Sequence, residues 1–215
     1  CPKKLSLQHT GAYLGLSLHS TFNDLTVASG GTDKISANSA ISVGGVFTNT
    51  NGTFDTEGNT VTVTGATNID GGILEIAAGT FDANDFDANG ATVTFTGAGT
   101  LNLGGNGGGA PDLGTLNDGL GGNITRGTVI YDNQAGSQAI YDAATLGTGY
   151  FNLQTNNNGQ TATAASALTV FGDLTITTGN LTLNIPGVES NLPTNERLQS
   201  MRDGNPDPGL PLLYF

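Results

Sequence analysis

The chain has 215 residues, 34 of them Gly and only 11 % of them charged, with a formal net charge of −12. Six Lys and Arg against 18 Asp and Glu are too few to grip a phosphate backbone. A single Cys excludes an internal disulfide framework or a Cys-based zinc site, and no apolar run approaches the ~18 residues of a membrane-spanning helix.

Thr (31) and Asn (22) join Gly as the commonest residues, so β-branched residues and turn formers dominate and the chain reads as all-β. At the start, Cys1-Pro-Lys-Lys4 has no apolar segment behind it, so a signal peptide is not expected. That fits either a cytosolic protein or a chain already processed. Cys1 is a candidate for lipoprotein acylation, against the plainer reading of an unpaired thiol at a chain boundary. Low Lys and Cys with abundant Thr, Asn and Gly suit a secreted or surface protein. Glycosylation sequons at Asn51, Asn123 and Asn180 are matches expected by chance in this composition.

From the N-terminus onward, short segments alternate apolar and polar residues. Leu5-Ser-Leu7 and Leu14-Gly-Leu-Ser-Leu18 begin the series. Leu25-Thr-Val27, Ile41-Ser-Val43, Val61-Thr-Val63, Leu74-Glu-Ile76, Val93-Thr-Phe95, Leu101-Asn-Leu103, Leu168-Thr-Val170, Leu174-Thr-Ile176 and Leu181-Thr-Leu183 continue it. This is the period of a half-buried strand, and Gly or Asn usually follows within three residues to turn a corner. Strands this short, with a corner every few residues, predict a β-solenoid of about seven stacked coils. Phe22, Phe47, Phe54, Phe81, Phe86, Phe95, Phe151 and Phe171 are the expected inward aromatics.

Internal similarity supports repetition. The segment 52–65 recurs at an offset of 32, and Ala40-Ile-Ser-Val-Gly-Gly-Val-Phe47 aligns with Ala167-Leu-Thr-Val-Phe-Gly-Asp-Leu174 at an offset of 127. The solenoid is expected over 1–185, with an irregular Gly-rich insertion, or alternatively a hinge, near 104–122. Residues 186–215 read as a Pro-rich tail. A short helix over 195–203 is capped by Thr194 and ended by Gly204, with Leu198 and Met201 on one face. The apolar end, Leu210, Leu212, Leu213, Tyr214 and Phe215, must be buried somewhere, on its own last coil or on the next subunit.

Gly127-Thr-Val-Ile-Tyr131, Tyr150-Phe-Asn-Leu153 and the run from Ala167 to Leu183 resemble the repeats of large bacterial surface proteins. These are the adhesin-like β-solenoids of the autotransporter and haemagglutinin type. The resemblance covers roughly residues 21–185 and rests on degenerate motifs. It implies an extracellular or cell-surface stalk, adhesin or fibre. The chain departs from that family in its shortness and its Pro-rich tail.

Candidate sites are few. Asp82, Asp85 and Asp87 form the best metal candidate, because Asp85, Asp87, Asn89 and Gly90 imitate the opening of an EF-hand loop. Thr96 stands where that loop needs Glu, and the bland reading is an outward acidic row with Phe81 and Phe86 turned in. Thr60, Thr62 and Thr64 with Thr92, Thr94 and Thr96 form a candidate ice-binding ladder, broken by Leu74-Glu-Ile76 and Leu101-Asn-Leu103. His9 and His19 stand alone, and Ser20, Ser29 and Ser39 lack a nucleophile-elbow context. Paired carboxylates assembled across coils for sugar cleavage stay open, but such sites commonly also need basic residues. Lys34 and Arg126 are the only ones between residues 5 and 196. The expected role is therefore a non-catalytic, cofactor-free surface protein that polymerises head to tail. A monomeric binding module for glycan or ice is the alternative.

Overall fold

The computed structural model describes residues 4–9, 14–16, 20–30, 33–88, 90–105, 111–141 and 149–183. The chain divides into two compact units, Cys1–Asn184 and Ile185–Phe215. The second unit, with the expected helix 195–203 and the apolar end, lies outside the described residues, as do Cys1 and Asn89.

Along the chain the strands are β1 (Lys4–His9), β2 (Leu14–Leu16), β3 (Ser20–Phe22), β4 (Asp24–Ser29), β5 (Lys34–Ala37) and β6 (Ile41–Val43). Then come β7 (Phe47–Asn51), β8 (Thr53–Asp55), β9 (Thr60–Ile69), β10 (Ile73–Ile76), β11 (Thr80–Asp87) and β12 (Thr92–Phe95). The last six are β13 (Thr100–Leu103), β14 (Thr115–Asn117), β15 (Thr128–Tyr131), β16 (Gln138–Ile140), β17 (Asn152–Ala164) and β18 (Leu174–Leu183). Every pairing between them is parallel, and the chain is a β-solenoid of about seven turns.

The pairings define three walls. The first holds β3, β6, the leading parts of β9 and β11, then β13, β15 and the leading parts of β17 and β18. The second holds β1, β4, β7, the trailing parts of β9 and β11, and later β16 with the trailing parts of β17 and β18. The third is the ladder β2-β5-β8-β10-β12-β14.

Register partners Ile41/Val61, Val61/Phe81 and Phe81/Leu101 are each 20 residues apart. The spacing stretches to 28 at Leu101/Val129, then 24 at Val129/Leu153 and 21 at Leu153/Leu174. The coil, at about 20 residues, is thus the repeat. An offset of 32 joins Val61 on the first wall to Val93 on the third. An offset of 127 joins Ile41 to Leu168, whereas the column through Ile41 arrives at Leu174. Each wall carries the same apolar-polar alternation and the same corner glycines, so sequence similarity matches one wall to another without respecting register.

Burial follows these columns. Ile41, Val61, Phe81, Leu101, Val129 and Leu153 are all buried, as is the third-wall column Ile35, Phe54, Leu74, Val93 and Leu116. Phe47, Phe54 and Phe81, one from each wall, meet edge to face, with centroids 5.0 and 5.5 Å from Phe47. Six of the eight aromatics expected to point inward are buried. Phe151 is only partly buried against the core, and Phe171 is exposed. Both lie in bends, where the inward-outward alternation of a strand no longer applies.

The stretch 104–122 contributes to the wall. β14 pairs with β12, Asp112 bridges to Asp87, and Leu113 and Leu116 are buried. The enlarged coil thus keeps a third-wall strand between its longer corners. At the next coils the first wall's other inner column, Val63, Ala83 and Leu103, turns polar at Tyr131 and Thr155. The buried hydroxyls of Tyr131 and Tyr150 lie 2.9 Å apart, Tyr131 accepts the Tyr141 N–H, and Tyr150 donates to the Tyr141 carbonyl. Burial pushes the Tyr131 phenol well above its ordinary range.

Gly127, at φ +91°, turns the enlarged coil back onto the first wall, and a Cβ there would overlap the Phe95 ring. Gly121, at φ +76°, has open space around it. Gly121→Ala therefore carries only the backbone strain, about 1 kcal/mol, whereas Gly127→Ala adds overpacking and costs about 3 kcal/mol. Urea unfolding of the two variants measures that difference.

Candidate functional site

The inner columns end abruptly. On the first wall Leu153 is fully buried, and its register partner Leu174 on β18 is 43 % exposed. Thr155 is 1 % exposed, and its partner Ile176 is 50 % exposed. On the second wall Ala164 is buried, and its partner Leu183 is 44 % exposed. With Phe171 these residues form an apolar layer on the last described coil. Leu174, Ile176 and Leu183 continue the inner columns of the coils beneath, and no further described coil lies on them. Among the described residues β18 pairs only with β17, so its outer N–H and C=O groups form an open edge. At the opposite end β1, β2 and β3 each have one described neighbour, β4, β5 and β6.

The acidic candidates are split by a corner. Asp82 faces outward on the first wall and accepts a hydrogen bond from Asn102 Nδ2 at 3.0 Å. A register irregularity follows Ala83, and Asp85 and Asp87 are exposed on the second wall. Among the described residues no three His, Cys, Asp or Glu side chains gather in one place. The threonine rows are likewise divided. Thr60 and Thr62 belong to the first wall and Thr92 and Thr94 to the third. The longest threonine column among the described residues is Thr60, Thr80, Thr100 and Thr128, one from each of four successive coils. A groove of about 820 Å³ opens at the corner between the first and second walls, lined by Asn84, Asp85, Asp132, Asn133 and Gln134.

Two charged groupings become visible only in three dimensions. On the third wall Lys34 Nζ lies 2.5 Å from Asp55 Oδ2 and 3.0 Å from Glu75 Oε1, bridging three successive coils. Asp55 is nearly inaccessible and also accepts the Glu57 backbone N–H at 2.8 Å, while Ser36 Oγ donates to Glu57. Desolvation alone would lower the Lys34 pKa, but the hydrogen bonds to Asp55 and Glu75 outweigh it and hold the ammonium above its ordinary 10.5. The spacing Lys34, Asp55, Glu75 signals this grouping only to a reader who already knows the coil length.

In the enlarged coil Asp118 closes the turn before β15. It accepts the Thr125 hydroxyl at 2.7 Å and the backbone N–H groups of Leu120 and Thr125, each at 3.0 Å. The Thr125 hydroxyl, followed by the Leu120 N–H, outweighs burial and holds this carboxyl below its ordinary 3.8.

No protein-family model matches the chain, and no curated protein and no solved structure is significantly similar to it.

A lowered folded-state pKa means that the unfolded chain binds the Asp118 proton more readily. Its stabilisation is therefore full above the ordinary carboxylate value and is lost as pH falls through the lowered one. Asp118→Asn should melt below the wild type at pH 7, and the gap should close below pH 3.8. A thermal-melt series against pH reads both.

Proposed function

We propose that this chain is a non-catalytic structural subunit that stacks end to end, the terminal coil of one copy receiving the first coil of the next. The observation that carries this reading is the exposed layer Phe171, Leu174, Ile176 and Leu183 beside the open edge of β18. A parallel solenoid repeats by translation, so its last edge has the hydrogen-bonding pattern that its first edge complements. The first coil offers β3 and β1 to the first- and second-wall edges of β18, while the third-wall ladder that begins at β2 ends at β14. Such a contact is heterologous and does not close, so it generates a filament. Burying the layer removes apolar surface from water, and edge pairing satisfies the open backbone groups.

In this reading the apolar end, Leu210, Leu212, Leu213, Tyr214 and Phe215, straps the junction by passing to the next subunit, with the Pro-rich segment giving it reach. The composition and the resemblance to bacterial surface repeats support a site of action outside the cell or at its surface. The in-register column Thr60, Thr80, Thr100 and Thr128 favours a second reading, a monomeric rod that binds ice or glycan through its first wall.

Negative-stain electron microscopy across a concentration series separates the two. Filaments of uniform width are expected from the full chain. The double substitution Leu174→Asp, Ile176→Asp should give short rods with an unchanged β circular-dichroism spectrum. Filaments that survive the double substitution, or wild-type rods at every concentration, contradict end-to-end stacking.

A further inference from the structure

The Lys34 grouping has the parts of an amide-forming site. An amine, a carboxyl carbon, a proton carrier and a donor for a developing oxyanion meet on the third wall. We propose that Lys34 and Asp55 condense into an intramolecular isopeptide bond, with Glu75 as the proton carrier, so that β5 and β8 are covalently joined. The site is independent of end-to-end stacking and lies well away from the terminal coil.

The geometry assigns each role. Lys34 Nζ is 2.5 Å from Asp55 Oδ2, so the carboxyl carbon is one bond beyond contact. Glu75 Oε1 is 3.0 Å from the same nitrogen and takes its proton. Asp55 Oδ1 accepts the Glu57 backbone N–H at 2.8 Å, which meets the charge that builds on that oxygen during attack. Nζ then bonds to Cγ, the Cγ–Oδ2 bond breaks, and Oδ2 departs as water. The ammonium supplies both protons of that water, at least one relayed through Glu75. A positive and a negative charge disappear together, so net charge is unchanged and no oxidant or reductant is needed.

Two obstacles have physical answers. Amide formation from separate ions in water is unfavourable, but well-oriented groups on one scaffold reach effective molarities of about 10⁵–10⁸ M. The three strands fix these groups by backbone register, and Asp55 is almost fully shielded from the water that would reverse the reaction. The neighbouring carboxylates also favour the ammonium, so proton transfer to Glu75 sets the pace. A reaction that runs once in the life of each molecule need not be fast. Its product is a covalent rung between successive coils.

The mass of the purified full chain tests this directly. The expected result is a protein lighter than its sequence by one water, with a branched peptide joining the Lys34 segment to the Asp55 segment. Lys34→Arg and Glu75→Gln should each restore the full sequence mass. A wild-type chain at full mass, with Lys34 open to amine acetylation after denaturation, overturns the proposal whatever the variants do. So does a water loss that maps to a succinimide at Asp70-Gly71, Asp118-Gly119 or Asp203-Gly204.

Discussion

The parallel hydrogen-bonded register between coils is the constraint from which the rest of this structure follows. Each strand residue sits on its counterpart about 20 residues earlier, so side chains form columns rather than isolated contacts. A column through the interior must be apolar or internally satisfied. Ile41 to Leu153 on the first wall meets the first condition. The exceptions meet the second only in part: Asn49 Nδ2 donates to the Ile73 carbonyl, Gln138 Nε2 to the Leu103 carbonyl, and the Tyr131 hydroxyl to that of Tyr150, which donates to the Tyr141 carbonyl, whereas Asn49 Oδ1, Gln138 Oε1 and the Thr67 and Thr155 hydroxyls are buried without a partner. On the third wall the same register sets Asp55 beside Glu75, and Lys34, two residues before Asp55's partner Ser36, reaches both.

Corners absorb the variation that the walls cannot. Gly65 packs so closely over Gly45 that a Cβ would overlap the Gly45 carbonyl, which fixes the path of the chain between the first and second walls. Where a coil lengthens, as between Leu101 and Val129, the additional residues go into the corners and β14 keeps its place. Length can therefore change without loss of register. A translational ladder also has ends, and the last described coil carries core-type residues at solvent-exposed positions. Such a surface is costly for an isolated molecule and useful to one that associates.

Strand positions were legible because alternation with frequent Gly leaves few other architectures, with Leu168-Thr-Val170 the exception, reduced to a single bridge at Val170, and six of the eight inward Phe residues followed from the same period. Register was not legible, because three walls share one local pattern and only the backbone ladder distinguishes them. That is why Thr62 and Thr94 look like one row and lie on different walls, and why Asp82 and Asp85 are neighbours in sequence but face different ways. Phe171 shows the limit of periodicity at a bend. Among the site residues, the exposed layer on β18 was visible only as one more apolar alternation, since exposure depends on whether another coil follows.

The register itself is the claim to test first. Six parallel steps link Ser42 to Thr175 through Thr62, Asp82, Asn102, Ile130 and Gln154 on the outer side of the first wall. At about 4.8 Å per step, the two backbones lie ~29 Å apart. Spin labels at these two positions, in a chain with Cys1 replaced by Ser, should give a single narrow distance distribution near that value by pulsed electron resonance. A broad distribution, or a narrow one several steps away, would contradict the stacked-coil register.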